Sequence, residues 1–71
     1  MNNGLVTNLF LGSIDKMTKK AILENIARNY GISTESAYIE VTHCDSENLL
    51  DYVTGPERAA TSLMLKRFKM V

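Results

Sequence analysis

Seventy-one residues, 45% of them apolar and 23% charged, describe one small folded domain and argue against wholesale disorder. A chain this short buries only a modest core, so its stability alone is marginal and partner binding is a natural supplement. Eight basic and eight acidic side chains cancel, which argues against gross electrostatic attraction to nucleic acid or to an anionic membrane.

In chain order, residues 1–14, "MNNGLVTNLFLGSI", come first and fit neither a clean strand period nor a clean helix period. A short strand, a helical turn and an extended arm all remain open, and the segment is treated as an N-terminal apolar arm or short element. It lacks a basic start and is too short to cross a bilayer, so neither an export signal nor a membrane span is expected. If the arm does not pack on the rest of the chain, Leu9 and Phe10 become candidate partner-binding residues, docking as an added strand or a groove-bound helix. The other outcome is that the segment covers the core.

Residues 15–71 read as a single helical domain. The first predicted helix runs from Lys16 or Thr18 to Asn29, with Asp15 or Thr18 as its cap. Ile22, Leu23, Ile26, Ala27 and Tyr30 recur at three and four residues and predict one apolar stripe. Gly31 fits a left-handed carboxyl-end cap. Ser33 or Thr34 starts a second helix, ending near His43, with Glu35 at its positive end and Ala37, Tyr38 and Val41 inward. Asp45 or Ser46 caps a third carrying Leu49, Leu50 and Val53. Pro56 suits the first position of a fourth, since a first-turn N–H has no partner to lose. That helix is predicted to turn Ala60, Leu63, Met64, Phe68 and Val71 inward. The expected fold is thus all-α: a bundle of about four short helices behind an N-terminal apolar arm.

Charge is uneven along this frame. Gly31 to Glu57 holds six acids and no Lys or Arg, whereas Arg58 to the end holds four bases and no acid. Lys19 and Lys20 on the first helix, with Arg58, Lys66, Arg67 and Lys69 on the last, are the candidate nucleic-acid contacts. Their bland reading for the last helix is charge complementing its carboxyl end.

Catalytic and metal chemistry finds little support. His43 and Cys44 are the single His and the single Cys, too few for a four-ligand zinc site, and a catalytic Cys would want a separate base. No disulfide can form within one chain, which suits a reducing cytoplasm. No glycine-rich phosphate loop is present. No enzyme activity, cofactor, metal or membrane partner is expected, and the expected location is cytoplasmic.

Ile26-Ala27, Gly31-Ile32-Ser33, Ala37-Tyr38 and Val41 together resemble the helix-turn-helix transcription regulators, over about twenty residues from Ile22 to Val41. In that resemblance Ala27 allows close helix crossing, Gly31 makes the turn, Ile32 plugs the space between the helices, and Ser33 caps the second helix. The resemblance implies transcription regulation and a second helix that reads DNA. Here that helix carries Glu35 and Glu40 and lacks Arg, Lys, Asn and Gln, the residues that read base edges. The expectation is therefore a small non-enzymatic regulator whose partner is a protein of the transcription machinery, such as RNA polymerase, with Glu35 and Glu40 at the contact, and/or DNA. DNA is disfavoured by the acidic second helix. Tyr30-Gly31-Ile32, followed by Leu49, Leu50 and Tyr52, is also similar to ubiquitin-associated three-helix modules. That similarity implies a protein–protein interaction module unrelated to transcription, with its surface at Tyr30-Gly31-Ile32 and Leu50.

Overall fold

The computed structural model describes residues 4–70 and contains five helices: α1 (Leu5–Ser13), α2 (Lys16–Tyr30), α3 (Thr34–Thr42), α4 (Ser46–Tyr52) and α5 (Gly55–Lys69). Among the described residues there is no strand. The all-α expectation holds, with one helix more than expected.

The extra helix is the N-terminal segment. Thr7, Phe10 and Leu11 point inward from α1 and are buried, with Ile14 half-buried just beyond. Those positions follow the spacing of one helix face. Phe10 is 0% exposed and meets Phe68 of α5 edge to face, with ring centroids 5.7 Å apart. The segment from Leu5 onward is therefore a wall of the core and not a free arm; residues 1–3 lie outside the described part. Two side chains of α1 also finish other elements. The Thr7 hydroxyl donates to the Cys44 carbonyl at 2.8 Å, and the Asn8 amide donates to the Thr42 carbonyl at 3.1 Å. The last carbonyls of a helix have no partner within it, so α1 supplies one for the end of α3. The approach is tight at Gly4, where an added Cβ would sit 1.8 Å from the Thr42 carbonyl oxygen.

Asp15, Ser33 and Asp45 are the caps chosen among the sequence alternatives. Their side chains accept from the backbone N–H groups of Thr18, Ser36 and Asn48. The Thr18 backbone N–H holds the Asp15 carboxyl below its ordinary pKa. Gly31, at φ 66°, is the left-handed residue that ends α2, and its N–H bonds the Ala27 carbonyl. Pro56 is the second residue of α5 rather than the first.

The core joins Phe10 and Leu11 to Ile22, Leu23, Ile26 and Ala27 of α2, Ala37 and Val41 of α3, Leu49, Val53 and Leu65. Several inward assignments shift. On α5 the buried residues are Thr61 and Leu65, with Met64 and Phe68 half-buried, whereas Ala60 and Leu63 are exposed. The helix is turned about one residue from the expected face. The difference is possible because Thr61 satisfies its hydroxyl internally, donating to the Glu57 carbonyl at 2.7 Å. Val71 lies outside the described residues. Tyr30 and Tyr38 face solvent over much of their surface, and Ile32 is 39% exposed, so it does not plug the α2–α3 junction.

A polar knot fixes the end of α4 to α2. The Asn25 amide donates to the Thr54 carbonyl at 3.1 Å and to Glu57 Oε1 at 3.2 Å. Asn25 Oδ1 accepts from the Thr54 N–H and from the Asn29 amide, both at 3.0 Å. Asn29 in turn donates to the Tyr52 carbonyl at 3.1 Å. Asn25 is nine-tenths buried, and its bonding capacity is used.

Candidate functional site

The knot has a local consequence. By holding the backbone at Tyr52 against the last turns of α2, it brings the Tyr52 ring beside Tyr30, with centroids 5.3 Å apart and planes tilted by 53°. Gly31 then turns the chain so that Ile32 stands on the same side. The result is an open groove of about 590 Å³ between α2, α3 and α4. Ile26 lies at its floor, and Tyr30, Ile32 and Tyr52 form its apolar wall. Glu40 of α3 and Asn48 and Asp51 of α4 line it as well. No residue lining it is Lys or Arg.

The polar side of the groove is ordered. The Tyr52 hydroxyl donates to Glu40 Oε1 at 3.4 Å, and Cys44 Sγ lies 3.6 Å from the same hydroxyl. The Cys44 contact first, then burial, then the Glu40 carboxylate push the Tyr52 phenol up to about 12. At neutral pH it is an uncharged donor that steadies Glu40 at the groove. Cys44 is half-buried, and His43 caps the carboxyl end of α3. Among the described residues, no group of three or more His, Cys, Asp or Glu is placed to hold a metal ion.

The two acids of α3 serve different surfaces. They are five positions apart, which turns them about 140° around the helix. Glu40 joins the groove, while Glu35 lies in a second crease of about 500 Å³ with Lys19, Leu23, Thr34, Tyr38 and Ile39. There the Lys19 ammonium sits 4.9 Å from the centre of the Tyr38 ring. Lys16, Lys19 and Lys20 share an adjoining crease with Glu24 and Thr34. Lys19 and Lys20 are thus brought together, beside carboxylates.

The remaining candidates are spread out. Arg58, Lys66 and Arg67 are exposed on α5. Lys69 is bonded to Glu47 of α4 at 2.7 Å, which pulls the Glu47 carboxyl below its ordinary pKa. Leu9 is 56% exposed, but Phe10 is wholly buried and is not available to a partner. The pair proposed from sequence is therefore split between surface and core. Leu50 is half-buried against the core and is not among the residues that line the groove with Tyr30 and Ile32.

Sequence reasoning missed Asn48 and Asp51. With Tyr52 they fall at one helix face by their spacing of three and four residues, which is a visible signal, but one that a short polar helix gives by default. Comparison with protein-family models, with curated proteins and with solved structures found no match to this chain.

Proposed function

We propose that this chain is a small non-enzymatic transcription regulator that acts by binding a protein of the transcription machinery, with RNA polymerase as the first candidate. The regulatory class rests on the helix-turn-helix resemblance of α2, the Gly31 turn and α3. The mode of action rests on one observation, the chemistry of the outer face of α3. Its exposed residues are Thr34, Glu35, Ser36, Tyr38, Ile39 and Glu40. Base edges in the major groove are read mainly by Arg, Lys, Asn and Gln, and phosphates repel carboxylates. Exposed Tyr38 and Ile39, with Glu35 in their crease and Glu40 turned toward the neighbouring groove, suit a protein surface instead.

DNA binding is a second reading, supported by the shared crease of Lys16, Lys19 and Lys20 beside the start of α3. Glu24 and Glu35 in the same neighbourhood weaken it. A protein-interaction module unrelated to transcription is a third, supported by the exposure of Tyr30 and Ile32 beside α4.

Transcription by purified RNA polymerase, with and without this protein, tests the reading together with co-elution of the two proteins without DNA. The expected result is an altered transcript yield and co-elution. An unchanged yield with no co-elution overturns the reading.

A further inference from the structure

We infer that the groove between α2, α3 and α4 receives a basic amphipathic helix of the partner protein. The inference rests on the reading above only in taking the partner to be a protein.

Three features of the groove define the occupant. Its wall is apolar and aromatic, from Tyr30, Ile32 and Tyr52, with Ile26 beneath them. Tyrosines of this kind supply large contact area and lose few rotatable bonds on binding. Glu40 and Asp51 line it as well, and no Lys or Arg does, so the complementary surface is cationic. Glu47, further along α4, is already bonded to Lys69 and adds no free charge. Among the described residues there is no sheet edge to extend, so strand addition is not open to the partner. An amphipathic helix lays apolar anchors spaced three or four residues apart into a groove between helices, and a groove wall of Tyr30, Ile32 and Tyr52 with acids beside it matches such a helix with a basic flank. The occupant is thus a helix with apolar anchors on one face, flanked by Lys or Arg positioned to meet Glu40 and Asp51.

The groove is held ready. The Tyr52 hydroxyl orients Glu40, and the Asn29 bond to the Tyr52 carbonyl fixes the backbone behind that ring. A preformed site avoids part of the ordering cost of binding.

The chain itself carries a helix face of related chemistry. Leu63, Lys66 and Arg67 face solvent along α5, and Met70 is exposed just past its end. A second copy inserting that face would be a head-to-tail contact that need not close, and would grow into oligomers.

The test uses the full chain, isotope-labelled, titrated with a synthetic Leu/Lys amphipathic peptide of about 14 residues, roughly four helical turns. A Leu/Glu peptide of the same pattern is the control. The expected result is saturable shifts at Tyr30, Ile32, Asn48, Asp51 and Tyr52 with the cationic peptide alone. Affinity should fall about tenfold or more in Tyr30→Ala, as for an aromatic anchor. It should also fall in the isosteric Glu40→Gln/Asp51→Asn variant, whose exposed positions leave the fold intact.

Equal binding of both peptides, shifts confined to other surfaces, or no binding overturns the inference. So does self-association that Leu63→Ser/Met70→Ser abolishes, because the groove would then belong to a second copy. If the Glu40→Gln/Asp51→Asn variant still co-elutes with RNA polymerase as the unaltered chain does, the groove assignment fails while the regulatory reading stands. If the peptide binds in the groove but no polymerase effect is found, the groove assignment stands and the regulatory reading fails.

Discussion

Phe10→Ala is expected to cost about 3–5 kcal/mol, the range for deleting a buried phenylalanine ring. Phe10 is wholly buried and touches Phe68 edge to face, so the change leaves a cavity where α1 meets α5. A domain of this size has a total stability of about 4–10 kcal/mol, so the variant sits near the edge of unfolding. Its melting temperature should fall by more than about 10 °C. Leu9→Ala, one residue earlier and 56% exposed, should change stability by no more than about 0.5 kcal/mol. Thermal denaturation followed by circular dichroism separates the two. Equal, small effects would place the N-terminal segment off the core and restore it as a free arm.

Asn25→Ala is expected to cost about 2–3 kcal/mol, the scale for breaking a buried hydrogen-bond network. The substitution removes one donor group that serves Thr54 and Glu57 and one acceptor that serves Thr54 and Asn29. The loss reaches the groove, because Asn29 holds the Tyr52 carbonyl and Asn25 helps hold Asn29. Chemical denaturation should show the lower midpoint. Resonances of Tyr30 and Tyr52 should move in the folded variant, since their rings are 5.3 Å apart. A stability loss with those resonances unmoved would mean that the knot holds the loop before α5 but does not shape the groove.

The fold was partly legible in the sequence, and particular residues say where and why. The α2–Gly31–α3 unit was read because its signals are local. Asp15 and Ser33 cap their own helices, Gly31 takes the left-handed turn, and Ile22, Leu23, Ile26 and Ala27 repeat along one face. Helix α1 was not read because its inward stripe includes the polar Thr7, while Leu5 and Leu9 lie outward. Thr7 is tolerated inside only because Cys44, 37 residues away, offers its carbonyl. On α5 the polar residue inside is Thr61, satisfied within its own helix by the Glu57 carbonyl, while the apolar Leu63 faces out.

The candidate site was less legible still. Glu40 was expected from sequence to be a partner contact, and Tyr30 and Ile32 were marked by a resemblance. Their assembly with Asp51 and Tyr52 depends on the Asn25–Asn29–Thr54 knot, whose members stand up to 29 residues apart in sequence. Nothing in local periodicity announces an Asn with partners that distant. Phe10 shows the converse error, since an apolar residue in an unclear segment suits a docking arm and a core equally until its neighbours are known.

On the proposed reading α3 does not read DNA, and its exposed residues meet protein. The most direct test is a nuclear magnetic resonance titration of the labelled protein with mixed-sequence duplex DNA at low and at moderate salt. No shifts are expected across residues 34–42 at either salt concentration. Salt-sensitive shifts there, together with shifts at Lys16, Lys19 and Lys20, would contradict that reading and make the chain a DNA reader.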